Sequence, residues 1–462
     1  MLIVMKFGGA TIKELGYSGV HELIDKVRPK ADVVVVVSAV DGVTDTLDEA
    51  ARRAMDGDEE HVKRVLEDLR KLHLDLIQKS LKKDDAEAGK LVGAILTELE
   101  RALYGIMYLG ELTRRSLDHV LSFGETISCK LGAHLLTRLG TPAVGLTGKE
   151  AGITTDEEFG NARPLMNLTW MKVNTKVTPL LREHLVPVVG GFCGSTQDGH
   201  VTTLGRGGSD YTATILASAL KADEVWLWTD VNGIMSADPK IVSEAVTIPE
   251  LTYREATELF LLGGKFMHPR TLIPVAPLGI PVIIKNAFNP EGPGTVIGGS
   301  AQPTGRVVKA VSLIRDVVMF NLMGPSMSVK AGTAGTIFQS LATAGAEAIM
   351  IAQSASESNV SIVVKRELAE KVYTNFELNL LGKVVDELKV DEDVCVVAAV
   401  GEGMKGTPGV AAKVFDAVSR NGINVKMIAA SSELNISFAV SKGDGEDAVK
   451  AVHEAFELNR IG

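Results

Sequence analysis

Apolar positions along the chain fall into two kinds of run. Unbroken runs occur at Leu2–Met5, Val33–Val37, Val186–Val189, Val225–Trp228 and Ile280–Ile284, most of them leading into a turn or loop rich in Gly, Asp or Asn. Continuous apolar strands closed by such loops are the pattern of a parallel sheet buried on both faces. Residues 45–118 are instead charged and carry helical spacing at Val62, Val65, Leu66, Leu69, Leu72 and Leu76, which predicts a mainly helical block. Strand, loop and helix alternate over about 290 residues, which predicts an α/β layered (αβα) domain with a mainly parallel sheet. The stretch NPEGPGTVIGGSAQPTGR (289–306) reads as a domain boundary, with Thr295–Ile297 able to pair as an edge strand.

Beyond the boundary the chain repeats itself. The segment starting at Met319 aligns with the one starting at Val396, so that Gly324 falls on Gly401, Gly332 on Gly409, Phe338 on Phe415 and Met350 on Met427, each 77 residues apart. Each copy reads strand, glycine loop, helix, strand, Ser-rich turn, strand: a small α+β unit used twice. The expected domains are 1–298, 307–386 and 387–462, with 307–314 open to pairing with the second unit rather than the first.

Composition narrows the function. The chain has 462 residues, 45% hydrophobic and 23% charged, with a formal net charge of −10. That balance is globular, and the negative charge speaks against nucleic acid or an anionic membrane as partner. Cys129, Cys193 and Cys395 lie far apart without CxxC spacing, and the nine histidines form no ligand set, so no resident metal site is expected. The start, MLIVMKFGG, has no long apolar run, and no stretch is apolar enough to span a membrane. A cytoplasmic protein is expected.

Two glycine patterns lack the context their chemistry needs. Gly401-Glu402-Gly403-Met404-Lys405-Gly406 is a literal GxGxxG, but no acid stands at the end of the next strand, where a dinucleotide ribose would require one. Gly145-Leu146-Thr147-Gly148-Lys149-Glu150 is too short for a phosphate loop and ends in Glu where Ser or Thr would ligate magnesium. The strongest signal is Leu204-Gly205-Arg206-Gly207-Gly208-Ser209-Asp210. Its glycines let backbone amides approach an anion, its Arg can clamp a carboxylate or phosphate, and Ser-Asp opens a helix running from Tyr211 to Leu220. Lys6-Phe7-Gly8-Gly9 closes the first strand, where an α/β sheet binds ligands. Trp228-Thr229-Asp230-Val231-Asn232-Gly233 with Ala237-Asp238-Pro239-Lys240, and Gly264-Lys265-Phe266-Met267-His268-Pro269, are further polar loops, the first of them closing a strand.

MKFGGAT, VVVVVSAVDGVTD, LSFGETIS, GFCGSTQDGHVTTLGRGGSDYTA, WTDVNGIMSADPK and GGKFMHP, in this order, resemble the amino acid kinase family, and within it the aspartate kinases. The tandem repeat resembles their paired ACT domains, which are ferredoxin-like α+β units. The resemblance covers essentially the whole chain. It implies transfer of the γ-phosphoryl of ATP, with Mg2+, to the β-carboxylate of L-aspartate, the first step toward lysine, threonine and methionine. It gives Lys6 and Asp210 the catalytic roles, with Gly8 and Gly9 along the phosphate path. Substrate positions are Ser38, Thr44, Glu125, Thr203, Arg206, Gly207, Gly208 and Ser209, with Glu125 facing the substrate ammonium. Nucleotide positions are Thr229, Asp230, Met235, Lys240, Lys265 and Phe266. Two departures stand out. The family's KFGGTS reads with Ala10 in place of the first hydroxyl, keeping only Thr11, and Met235 stands where relatives often carry Tyr.

The ACT resemblance further implies feedback by threonine or lysine, and assembly into a homodimer or homotetramer through these domains. The strand Ile349-Met350-Ile351-Ala352-Gln353-Ser354 resembles that of threonine-sensitive members, with Gln353 (beside Met350) contacting the effector; the second copy has Ala430 there. Two alternatives remain at this point: a glutamate or N-acetylglutamate kinase of the same fold, and an amino-acid sensor without turnover. No fused second enzyme is expected beyond Gly462.

Overall fold

The computed structural model describes residues 1–263, 267–299, 307–324, 332–354, 358–404, 406–429 and 433–460. They divide into two compact units, Met1–Ile234 with Met267–Gly299, and Met235–Phe266 with Ser300–Gly462.

The first unit opens with β1 (Leu2–Phe7), α1 (Gly9–Asp25) and β2 (Asp32–Val37). Helices α2 (Val43–Met55), α3 (Glu59–Leu81), α4 (Ala86–Leu109) and α5 (Arg114–Arg138) then form the helical block that the spacing predicts. Val62, Val65, Leu69 and Leu76 are buried in the core, with Leu66 and Leu72 packed against it. Side chains fix where these helices start: Asp58 accepts the amide of His61 at 3.0 Å, and Asp85 accepts those of Glu87 and Ala88 at 3.0 and 3.1 Å.

Next come β3 (Ala143–Leu146), β4 (Val186–Gly190), the pair β5 (Cys193–Ser195) and β6 (Val201–Thr203), the helix Gly208–Leu220, and β7 (Glu224–Thr229). The main sheet runs β3-β4-β2-β1-β7, then Val282–Asn286 and Thr295–Gly298. Its neighbours are parallel as far as Val282–Asn286, and Thr295–Gly298 returns antiparallel. The five valines of β2 are all essentially inaccessible. Each contributes about 1.5–3 kcal/mol of apolar burial as an upper figure, which is why this run reads so clearly as a central strand. The last parallel strand starts two residues later than its apolar run, because Pro281 has no amide to give to a ladder.

In the second unit the two repeats build two four-stranded antiparallel sheets. The first is ordered Met350–Gln353, Asn359–Lys365, Val317–Met323, Glu387–Asp391, and the second Ala310–Ile314, Cys395–Val400, Asn435–Val440, Met427–Ala429. Both orders are ferredoxin-like, but the second sheet takes its fourth strand from ahead of the first repeat. Ala310–Ile314 precedes the first repeat yet pairs with Cys395–Val400 of the second. Glu387–Asp391 completes the first sheet beside Met319–Met323. Hydrogen bonding therefore does not follow a contiguous cut at 386/387.

Met350 and Met427, equivalent by the repeat, share one buried layer with Val317, Met319, Val363, Val394, Val396 and Ala439. Phe415 packs edge-on against Phe438 with ring centroids 5.7 Å apart, whereas its counterpart Phe338 is 47% exposed, so the repeat is not symmetric in its core.

Candidate active site

The carboxyl end of β1 delivers Lys6, and Gly8 leads directly into α1. Gly9 is required there by space: a Cβ would run into the backbone at Ala39 and Asp41. Across the sheet, Gly205 and Gly207 take the left-handed φ of +73° and +71°, folding the Leu204–Asp210 loop so that the next helix starts at Gly208. A Cβ on Gly208 would lie 2.8 Å from the Phe192 ring. These two constraints bring Asp210 to Lys6, with Nζ 2.7 Å from Oδ1 and both side chains about 15% exposed. A cation, a carboxylate and two glycine-led helix starts thus meet at the carboxyl edge of a parallel sheet, an arrangement suited to holding phosphate charge.

Arg206 is exposed on the same loop. Its carbonyl accepts from Arg270 Nη2 at 3.0 Å, and Arg270 Nη1 donates to Asn161 at 2.7 Å while the guanidinium lies over the Tyr211 ring. Arg270 therefore braces the loop from outside. Sequence reasoning stopped one residue short of it, at Pro269.

Ser38 closes β2, its amide donating to the Phe7 carbonyl at 3.2 Å, and Thr44 sits half-buried in the first turn of α2. Glu125 reaches this corner from α5. Its Oε1 accepts the Ala39 amide at 3.1 Å, while its buried Oε2 has no hydrogen-bond partner. Burial pushes the Glu125 carboxyl up to about 8, against a smaller downward pull from the Ala39 amide. Ser122, Thr126, Lys149, Gly190 and Cys193 line a cavity with it.

Thr203 is buried with its hydroxyl already committed. It donates to Asp118 Oδ1 at 2.8 Å, and Asp118 Oδ2 accepts the amides of Thr203 and Gly160. Asp118, raised above the usual carboxylate range by burial, is a second residue that no motif pointed to.

Thr229 and Asp230 close β7, whose Trp228 is in register with Phe7, so they lie at the same sheet edge as Lys6. Thr229 Oγ1 donates to Asp230 at 3.1 Å. Met235 and Lys240 belong to the second unit; Met235 pairs with Thr247 and Lys240 is exposed. Lys265 and Phe266 lie outside the described residues. Of the effector positions, Met350 is buried in the layer between the sheets and Gln353 is exposed at its strand end.

Among the described residues, the one group of three ligating side chains within reach of a common ion is Asp85, Glu87 and His134. Asp85 there caps a helix and pairs with His134 and Arg138. No described helix is long and apolar enough to cross a membrane.

Comparison with known proteins bears on this geometry. A model of the amino acid kinase family matches residues 1–286, and an ACT domain model matches 320–375 and 397–456. Aspartokinase 2, chloroplastic, of Arabidopsis thaliana is 32% identical over 98% of this chain and 84% of its own length. Bifunctional aspartokinase/homoserine dehydrogenase 1, chloroplastic, of Zea mays is 33% identical over the whole chain but only 51% of its own length. The chain thus spans about half the length of the bifunctional relatives it matches. The crystal structure of E. coli aspartokinase III in complex with aspartate and ADP superposes with a TM-score of 0.82 at 27% identity, covering 98% of this chain and 99% of that one. The same enzyme in complex with lysine and aspartate gives 0.77. The chain belongs to the amino acid kinase family, among the aspartokinases that carry paired ACT domains.

Proposed function

We propose that this chain phosphorylates the β-carboxylate of L-aspartate with ATP, giving 4-phospho-L-aspartate and ADP, at the head of lysine, threonine and methionine synthesis. The observation that carries this reading is the Lys6–Asp210 pair, 2.7 Å long, at the sheet edge where two glycine-led helices begin. A carboxylate nucleophile is already ionised near neutral pH, so the reaction requires no general base. What remains is alignment and stabilisation of charge on the transferring phosphoryl group.

Lys6 supplies that positive charge, and Asp210 fixes where its ammonium points. The amides at Gly8 and Gly9 and at the start of the Gly208 helix take the phosphates. Arg206, with Ser38, Thr44 and Ser209, holds the substrate carboxylates, and Glu125 Oε2 takes its ammonium. Thr203 acts by backbone position, since its hydroxyl is held by Asp118. Thr229, Asp230, Met235, Lys240, Lys265 and Phe266 serve the nucleotide. Asp210, the carboxylate beside Lys6, would hold a magnesium ion brought by the nucleotide. When bound, the ion neutralises phosphate charge.

The first ACT repeat takes the effector near Gln353, threonine in preference to lysine, and the chain works in the cytoplasm as a homo-oligomer joined through these repeats. E. coli aspartokinase III, solved in complex with lysine and aspartate, supports an amino acid as effector. The test is hydroxylamine trapping with Mg-ATP and L-aspartate, L-glutamate or N-acetylglutamate, each with and without threonine or lysine. The expected result is hydroxamate from aspartate alone, suppressed by threonine. Suppression by lysine instead removes the threonine assignment. Absence of hydroxamate from all three acids removes the kinase.

A further inference from the structure

Arg206 stands between two glycines, Gly205 and Gly207, that both take left-handed φ, in a turn closed by the Gly208 amide on the Gly205 carbonyl at 3.0 Å. Glycine restrains its own backbone least, so the shape of such a turn has to be held from outside. Two anchors hold it, and both run through one short segment, Gly160-Asn161-Ala162.

The first anchor fixes the entry to the turn. Asp118 Oδ2 accepts the amides of Gly160 at 2.9 Å and Thr203 at 2.8 Å, and the Ala162 amide donates to the Thr203 carbonyl at 2.9 Å. The second fixes its tip. Arg270 Nη1 donates to Asn161 Oδ1 at 2.7 Å, and Nη2 donates to the Arg206 carbonyl at 3.0 Å. The same guanidinium lies 5.8 Å from the centroid of the Tyr211 ring, in the first turn of the helix that carries Asp210. One planar group thus ties three segments together, which a point ammonium could not do with the same geometry.

Packing agrees with the hydrogen bonds. A Cβ on Gly205 would lie 2.8 Å from Asn161 Oδ1 and 3.0 Å from Arg270 Nη2, and one on Gly207 would lie 2.8 Å from the Cβ of His268. The turn is therefore seated directly on Asn161 and the segment around Arg270. Both acceptors of Arg270 are uncharged, so these bonds fix geometry without neutralising the guanidinium.

We infer that Arg270 is a positioning residue for aspartate: through the Arg206 carbonyl and Asn161 it sets where Arg206 presents its own guanidinium. The inference rests on the proposed function in taking Arg206 as a ligand of the substrate carboxylates. The carboxylate that is not phosphorylated keeps its charge throughout the transfer, so what Arg270 contributes is binding shared by the ground and transition states. Its loss falls on KM for aspartate rather than on kcat.

Steady-state kinetics with aspartate and Mg-ATP varied in turn, alongside melting curves, test this. R270A is expected to raise KM for aspartate about 10-fold, as loss of hydrogen bonds from a charged group would. Its kcat stays within about threefold of wild type and KM for ATP does not move. R270K, which keeps the charge without the fork, falls between R270A and wild type. N161A raises the same KM about threefold, and N161A/R270A is no worse than R270A. An unchanged KM for aspartate in R270A, or KM for ATP rising equally with it, overturns the inference. Should R270A not fold, N161A decides: a rise confined to KM for aspartate supports the inference, and no rise overturns it. Wild type without turnover on aspartate counts against the proposed function instead, and hydrogen exchange on the free protein then decides the positioning of Arg206. Faster exchange over residues 204–210 in R270A, with the main sheet unchanged, supports it, and unchanged exchange there overturns it.

Discussion

Lys6→Met is expected to lower kcat for aspartate phosphorylation about 10³-fold, roughly 4 kcal/mol of transition-state stabilisation. In the proposed reaction Lys6 is the charge aimed at the phosphoryl group as it leaves ADP, and its removal also leaves Asp210, 2.7 Å from the Lys6 ammonium, unneutralised beside that group. The effect falls on kcat rather than on the KM for aspartate, because the interaction grows as charge moves in the transition state. Both side chains keep some contact with solvent, so the fold survives with a small change in melting temperature. Asp210→Asn retains a hydrogen-bond acceptor for Lys6 and loses less than Lys6→Met. Steady-state kinetics on the two variants, with melting curves as the control for folding, check this. A Lys6→Met variant keeping more than about a tenth of wild-type kcat would falsify the role.

The second large effect concerns Glu125. With its carboxyl pushed up to about 8 by burial, it is mainly protonated in the free protein at pH 7. An ammonium arriving at the unpartnered Oε2 favours the carboxylate, so aspartate binding releases close to one proton at pH 7. Calorimetry in buffers of different ionisation enthalpy measures that release directly. For the same reason kcat/KM for aspartate rises with pH to a plateau above about 8, reporting the free protein. Glu125→Gln keeps an acceptor for the Ala39 amide but carries no charge. It flattens the profile and lowers kcat/KM about 10²-fold, the ~3 kcal/mol of a charged hydrogen bond in a buried site.

Stability runs the other way. A raised carboxyl binds its proton more tightly when folded, so its contribution is full below the unfolded value and is lost as pH rises through about 8. Wild type should therefore lose stability from about pH 4.5 up to about pH 8, and Glu125→Gln should lose less. Equal proton release by wild type and Glu125→Gln would sink this role.

Much of the scaffold was legible because its signals are local. Five consecutive valines bury on both faces whatever surrounds them, and the Arg206–Asp210 loop announces its glycine conformations in its own residues. The residues that sequence reasoning missed act over distance. Asp118 holds Thr203 across 85 positions and Gly160 across 42, and nothing near it in sequence marks it as anything but a polar helix residue. Arg270 braces a loop 64 residues away. The partner of Ala310–Ile314 is not legible for a related reason: it has an ordinary strand pattern, and pairing is decided by which neighbour supplies the matching edge. Met350 reads as a ligand position in its motif, yet the repeat places it beside Met427 in a shared apolar layer.

In the proposed reaction the β-carboxylate of aspartate is the nucleophile held beside Lys6. ¹³C NMR of the hydroxamate trapped from [¹³C₄]-L-aspartate, Mg-ATP and wild-type protein tests it most directly. Only the β-carboxyl carbon (C4) resonance is expected to move to the hydroxamate position, with no such signal in Lys6→Met over the same time. A hydroxamate resonance from the α-carboxyl carbon (C1), or equal product from Lys6→Met, would contradict it.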